Sequence, residues 1–202
     1  MPLLIEDWDA RYRESARQLA DRPAAILAEV LPLLPRGRAL DIACGAGRNA
    51  IFLAIRGWDV TAVDFSSAAL ALACSAAQAA GIPVTWERTF AEPPRQLPGL
   101  HLIEGDLEKL SLPRQAFDLI VCTNYLQRSL FRQIEAALRS GGALLYETFT
   151  RDQLQFAAGP RNLEFLFNPG ELRESFPDLA TLFYRELSAG KGIASVLVRK
   201  AS

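Results

Sequence analysis

Two glycines and two acidic residues give the first half of this chain its chemistry. Gly45-Ala46-Gly47 follows an apolar run, Ala39 to Ala43, that carries one acid, Asp41. A helical pattern then begins, from Asn49 to Ile55. Strand, glycine turn and helix are how an α/β fold brings a nucleotide-like ligand against its backbone. Glycine lacks the Cβ that would block that approach and accepts the positive φ of a tight turn. Gly45-x-Gly47-x-x-Ala50 matches a permitted dinucleotide form. Asp64 lies 19 residues after Gly45, at the end of the next apolar run, where a carboxylate accepts both hydroxyls of a ribose. Hydride transfer from a nicotinamide and methyl transfer from S-adenosylmethionine both use these residues.

Asp41 separates the two. It stands four residues before Gly45, at the mouth of the first strand. A diphosphate on this turn would meet its negative charge, whereas a ligand carrying a sulfonium and an ammonium would not be repelled. The same carboxylate could also hold the loop through backbone N–H groups. The chain has no recognisable Tyr-x-x-x-Lys pair, which further weakens an NAD(P)-dependent oxidoreductase.

The elements that must position these residues alternate. The spacing predicts two opening helices, Trp8 to Leu19 and one from Pro23, the latter with Ile26, Leu27, Val30, Leu31 and Leu34 on one face. Strands are expected at Ala39 to Ala43, Val60 to Val63, Leu102 and Ile103, Phe117 to Cys122, and Ala143 to Phe149. Helices are expected at Asn49 to Arg56, Ala68 to Ala80 capped by Ser66 or Ser67, Leu130 to Arg139, and Glu171 to Phe176. Leu182 to Leu187 and Ala194 to Arg199 read as an antiparallel hairpin. Pro83 to Gly99, with four prolines and no period, reads as a surface loop. Thr150 to Asn168 is long for a connection and reads as a lid or binding loop. Repeated strand–helix units give a parallel sheet with helices on both faces, and ligands on such sheets bind beyond the strands' carboxyl ends. Asp41 to Gly47, Asp64, Asp106 and Asn124 are the residues at those ends.

Composition bounds the rest. With 202 residues, 50% of them hydrophobic, the chain suits a single domain spanning 1–202. A net charge of −1 argues against electrostatic binding to nucleic acid or to an anionic membrane. Cys44, Cys74 and Cys122 are scattered and the single His101 is near none of them, so no metal site is expected and the cysteines read as small buried hydrophobes. Asp7, Asp9 and Arg11 interrupt the N-terminus too early for a signal peptide, and no apolar run suits a membrane helix, so a cytoplasmic protein is expected.

Asp41-x-x-x-Gly45-x-Gly47, the acid at Asp64 and Gly105-Asp106-Leu107 resemble the signature of class I S-adenosylmethionine-dependent methyltransferases, over nearly the whole chain. Ala-Cys-Gly-Ala-Gly-Arg-Asn49, Trp-Asp-Val-Thr-Ala-Val-Asp64 and Gly-Gly-Ala-Leu-Leu-Tyr-Glu-Thr-Phe149 look like the small bacterial tellurite-resistance and thiopurine-type enzymes. The resemblance implies a Rossmann-like three-layer sandwich: a mostly parallel seven-stranded sheet with an antiparallel C-terminal strand. It implies that S-adenosyl-L-methionine is held with its methionine part among Asp41, Gly45, Gly47 and Arg48. Asp64 would take the ribose hydroxyls, with Phe65 beside the adenine. Asp106 would accept from the adenine amino group and the Leu107 N–H would face a ring nitrogen; Asn124 and Tyr125 would line the methyl-donor side. The N-terminal helices of 1–35, with Trp8 and Tyr12, would fold over the cofactor, and 150–170 would form an acceptor-site lid.

Displacement at a sulfonium methyl is in-line on an activated donor, so positioning and exclusion of water can supply most of the catalysis. No base stands out. His101 begins a strand on the side away from the expected site, and Tyr146 and Glu147 read as sheet residues. Thr-Asn124-Tyr-Leu-Gln lacks the Asn-Pro-Pro-Tyr or Asp-Pro-Pro-Tyr of enzymes that methylate nucleic-acid bases, so a small-molecule acceptor is expected. Tyr125, Arg128 and Arg161 are the acceptor-side candidates; with Arg48, the two arginines would suit a small anion. A non-catalytic S-adenosylmethionine-binding or regulatory protein on the same fold is the alternative.

Overall fold

The computed structural model describes residues 5–15, 22–90 and 98–202. Among the described residues eight strands form one sheet in the order β3-β4-β2-β1-β5-β6-β8-β7. They are β1 (Arg38–Ile42), β2 (Asp59–Asp64), β3 (Val84–Glu87), β4 (Gly99–Glu104), β5 (Phe117–Thr123), β6 (Leu138–Phe149), β7 (Ala180–Leu187) and β8 (Ile193–Arg199). The first six run parallel; β8 is antiparallel to both β6 and β7.

Helices cover both faces, which is why the central strands read as continuous apolar runs. On one face α2 (Ala25–Val30), α3 (Arg48–Ile55) and α4 (Ser67–Ala79) set Ile26, Leu27, Leu53, Leu70 and Ala73 against Ala39, Val60, Leu102, Val121 and Leu145. On the other, α5 (Phe131–Ala137) and α6 (Glu171–Glu174) set Ile134 and Leu172 against Leu40, Ile120, Leu144 and Val196. Phe131, Tyr146, Phe167 and Phe176 form an aromatic cluster there, with centroid separations of 5.0 to 6.2 Å. The sandwich and its antiparallel C-terminal strand are as the sequence implied.

The sheet has one strand more than the seven expected. Val84–Glu87, expected to be loop, pairs in parallel with β4 as an edge strand. Its Val-Thr-Trp run has strand propensity but is only four residues long, too short for a period to show. Residues 91–97 of that loop lie outside the described residues. The N-terminal helix α1 runs from Ile5 to Ser15, three residues earlier than expected, with Glu6 and Asp7 in its first turn where the helix dipole favours acids. Leu19 lies outside the described residues.

Candidate functional site

The order β4-β2-β1-β5 brings the carboxyl ends of four strands side by side. Each ends in a residue singled out by its sequence context. The loop after β1 is tightly wound: Ala43, Gly45 and Gly47 have φ of 52°, 55° and 79°. A Cβ added at Gly47 would lie 2.8 Å from the Ala73 Cβ of α4, so that glycine allows α3 and α4 to close on each other.

Two buried carboxylates hold the loop. Asp41 is 1% exposed, and its Oδ2 accepts a hydrogen bond from the Ala50 N–H at 3.0 Å. It therefore braces the first turn of α3, which is the alternative role that the sequence left open for it. Burial pushes its pKa up to about 7, against the opposing pull of the Ala50 N–H and the Arg48 guanidinium. The Asp64 Oδ2 accepts from the Gly45 N–H at 2.8 Å and its Oδ1 from the Ser66 N–H at 2.9 Å. Burial also raises the Asp64 pKa, while those N–H groups oppose the shift. The Phe65 N–H is a third donor to this carboxylate, which as a four-site acceptor still has room for a further one. Phe65, half-buried, follows directly.

Helix α1 lies over this loop. A Cβ at Gly45 would fall 2.5 Å from the Tyr12 hydroxyl. Burial and the nearby Asp64 charge push the Tyr12 pKa upward. Asp9 fastens the helix: its Oδ1 accepts from the Ser66 Oγ at 2.5 Å and from the Ala68 N–H at 3.2 Å. Ser66 in turn caps α4, accepting from the Ala69 N–H at 3.1 Å. Asp9 is a site residue that sequence reading passed over, because nothing local pairs it with a serine 57 positions away.

At the end of β4, Leu107 is buried and Asp106 half-buried. The Asp106 carboxylate accepts from the Glu108 N–H at 2.9 Å and pairs with the exposed Lys109 ammonium at 2.9 Å. Partial burial is outweighed by these two donors, and its pKa falls. At the end of β5, Asn124 takes a left-handed φ of 59°, which asparagine tolerates, and its N–H donates to the Glu147 carbonyl at 2.8 Å. Its side chain is exposed. Tyr125 is half-buried and donates its hydroxyl to the Gln127 Oε1 at 2.6 Å.

The two remaining arginine candidates are tied into the 150–168 segment. Arg128 pairs with Glu171 at 2.6 Å, donates to the Glu164 and Leu166 carbonyls, and lies 5.4 Å from the Phe167 ring centroid. Arg161 donates to the carbonyls of Leu154, Phe156 and Ala157. These contacts occupy most of both guanidinium groups and leave them little to offer a small anion. Arg48 acts instead on Asp41 and Tyr12. His101 bonds Thr85 and Asp59, towards the amino ends of the strands.

A family model described as a methyltransferase domain matches residues 39–142, more than half of the chain. The chain belongs to this methyltransferase family. Among curated methyltransferases it is 27% identical over 150 residues to a malonyl-[acyl-carrier protein] O-methyltransferase of Enterobacter lignolyticus, covering 72% of this chain and 52% of that one. It is 26% identical over 136 residues to a ubiquinone biosynthesis O-methyltransferase of Pseudomonas syringae pv. tomato, covering 65% and 52%. The chain thus spans about half the length of the curated relatives it matches. The methyltransferase fold is shared with TehB from Haemophilus influenzae at a TM-score of 0.70 and 20% identity, over 92% of this chain and 65% of that one. Among the described residues no helix is long and apolar enough to cross a membrane.

Proposed function

We propose that the protein transfers the methyl group of S-adenosyl-L-methionine to a small-molecule acceptor. One observation carries this reading: a single sheet edge gathers the glycine loop, Asp64, Asp106 and Asn124, with the Asp64 carboxylate bonded to the loop's own Gly45 N–H. The residues fit such a cofactor. Gly47 lets α3 and α4 close on each other, and Gly45 lets the Tyr12 hydroxyl approach the loop, so the turn stays tightly wound beneath a ligand. The Asp64 carboxylate, at the end of β2, suits a ribose hydroxyl. Phe65 and the buried Leu107 offer apolar surface on either side of an adenine, with Asp106 at its rim. Asp41 would act through the loop it braces and through its charge, which favours a cation.

When bound, the cofactor supplies a methyl carbon already activated by the sulfonium. The protein's part is to hold donor and acceptor in line and to keep water out. Asn124 and Tyr125, beside Gly45 in strand order, stand at the donor side. Tyr12 and Asp9 keep α1 over the loop, and the arginine-tied 150–168 segment forms the opposite wall, where Arg128 and Arg161 contribute order rather than charge. The relatives named O-methyltransferases support an oxygen acceptor, and the likeness to TehB supports the resemblance to the tellurite-resistance group.

The test is calorimetry with S-adenosylhomocysteine. The wild type is expected to bind it, and Asp64→Ala to lose about 100-fold, the loss of a charge-assisted hydrogen bond. Undiminished binding by Asp64→Ala would overturn the assignment of the site. Binding without turnover across acceptors of differing chemistry would favour a regulatory protein instead.

A further inference from the structure

Beyond the cofactor loop, one polar row crosses the sheet on the face that α2 and α3 cover. Thr123 on β5 pairs in register with Glu147 on β6, and Glu147 with Ser195 on β8. Side chains paired across strands share a face. The row continues to Arg185 on β7, which pairs with Ser195. It lies at the carboxyl ends of β5 and β6, the end where ligands bind.

This row joins the cofactor loop directly. The Asn49 side chain, in the first turn of α3, donates to the Thr123 Oγ1 at 3.0 Å and accepts from the Ala24 N–H at 2.9 Å. Asn49 also helps to hold Asp41. Asn124, on the donor side, hangs its N–H on the Glu147 carbonyl. Glu147 is thus one strand from the donor side of the site and tied to it through the backbone.

Its carboxylate is held at one oxygen. Glu147 is 8% exposed, and the Ser195 Oγ donates to its Oε2 at 2.6 Å. Among the described residues nothing bonds Oε1. Among the described residues, the fully sealed side-chain atoms left without a partner are the Nε atoms of Arg185 and Arg199, so Oε1 is not sealed off. A buried carboxylate with one oxygen fixed by a serine and the other unpaired but not sealed is a ready acceptor for a proton.

We propose that Glu147, positioned by Ser195, takes the proton from an O–H or N–H acceptor as the methyl group is transferred; this rests on the methyl-transfer reading of the site. The acceptor oxygen or nitrogen forms its bond to the methyl carbon as the carbon–sulfur bond of the sulfonium breaks. The sulfur leaves as a neutral thioether, and the acceptor proton passes to the Glu147 Oε1. The site therefore takes an acceptor whose nucleophile forms only on losing a proton. An acceptor that is already an anion would meet a carboxylate and gain nothing from it.

The experiment compares wild type, Glu147→Gln and Ser195→Ala with three probes: phenol, benzylamine and 4-nitrothiophenol, the last already ionised at neutral pH. Methyl transfer is followed against pH, and S-adenosylhomocysteine affinity by calorimetry. Wild type is expected to methylate phenol or benzylamine. Glu147→Gln is expected to cut that transfer about 100-fold or more, within the range of general-base catalysis, and to abolish the acid-side limb of its kcat/KM profile. Its loss on 4-nitrothiophenol should be at least tenfold smaller, with S-adenosylhomocysteine affinity held. Ser195→Ala should shift the same limb with a smaller loss. Equal losses on protic and ionised acceptors, an unmoved pH limb, or wild-type transfer to 4-nitrothiophenol alone or to none of the probes would each overturn the role of Glu147. A wild type that fails to bind S-adenosylhomocysteine would instead sink the underlying reading.

Discussion

The two halves of the site are built differently. Around β1 and β2, carboxylates hold loop amides over short stretches of chain: Asp41 reaches nine residues to Ala50, and Asp64 reaches 19 to Gly45. Around β5 and β6, the bonds that fix the wall join distant segments. Arg128 meets Glu171 43 residues on, Gln153 holds the Gly192 N–H 39 residues on, and Ser195 meets Glu147 across 48. The first half is a local device, closed within one stretch of chain. The second is an assembly whose shape depends on the whole fold.

Substitutions in each half should break this contrast in different ways. The largest effect is expected at Asp41. Its carboxyl has an ordinary pKa of 3.8, raised to about 7 in the fold, so between those values the folded state keeps a proton that the unfolded chain has lost. Stability from this group falls as pH rises through that window and levels off above it. At about 1.4 kcal/mol per pH unit, Asp41→Asn should gain roughly 4 kcal/mol on wild type between pH 4 and 7, read by denaturant unfolding. A stability difference that does not change with pH would contradict the buried, protonated state. Cofactor binding should run the other way: affinity for the cationic S-adenosylmethionine should rise with pH up to about 7, where the carboxylate forms.

Next comes Gly45→Val. Its φ of 55° and the Tyr12 hydroxyl both oppose a side chain there. S-adenosylhomocysteine affinity should fall about 100-fold, the scale of a strained and blocked backbone position. Adding Tyr12→Ala should recover part of that loss if α1 lies over the loop as described. In the other half, Arg128→Ala removes an ion pair, two carbonyl contacts and the stacking on Phe167. A loss of about 2 kcal/mol is expected, with faster hydrogen exchange at the Phe165 and Leu166 amides. S-adenosylhomocysteine affinity should stay within about threefold, as for independent sites. The smallest effect belongs to Asp9→Ala, which frees α1 from Ser66 and Ala68 at a cost of about 1 kcal/mol or less, seen as exchange confined to α1.

The same contrast explains what the sequence made legible. The glycine loop, Asp64 and the strand ends could be read because their partners lie within one strand–helix unit and their residue types have few other uses. The cap at Ser66 and the hairpin of β7 and β8 followed from local pattern for the same reason. Strand β3 was missed because four residues are too few to reveal a period. Arg128 and Arg161 looked available for an anion because nothing in the sequence tells an arginine where carbonyl groups will gather. Glu147 read as a sheet residue for a related reason: β6 is buried on both faces, and only its pairing with Ser195 and Thr123 sets this acid apart from its neighbours.

On the proposed reading, the loop between Asp41 and Asp64 serves a methyl donor and not a nicotinamide dinucleotide. Calorimetry of the wild type with S-adenosylhomocysteine and, separately, with NADH decides between the two. Saturable binding of S-adenosylhomocysteine with a micromolar Kd, and no binding of NADH, is the expected result. NADH binding as tight as, or tighter than, that of S-adenosylhomocysteine would contradict it.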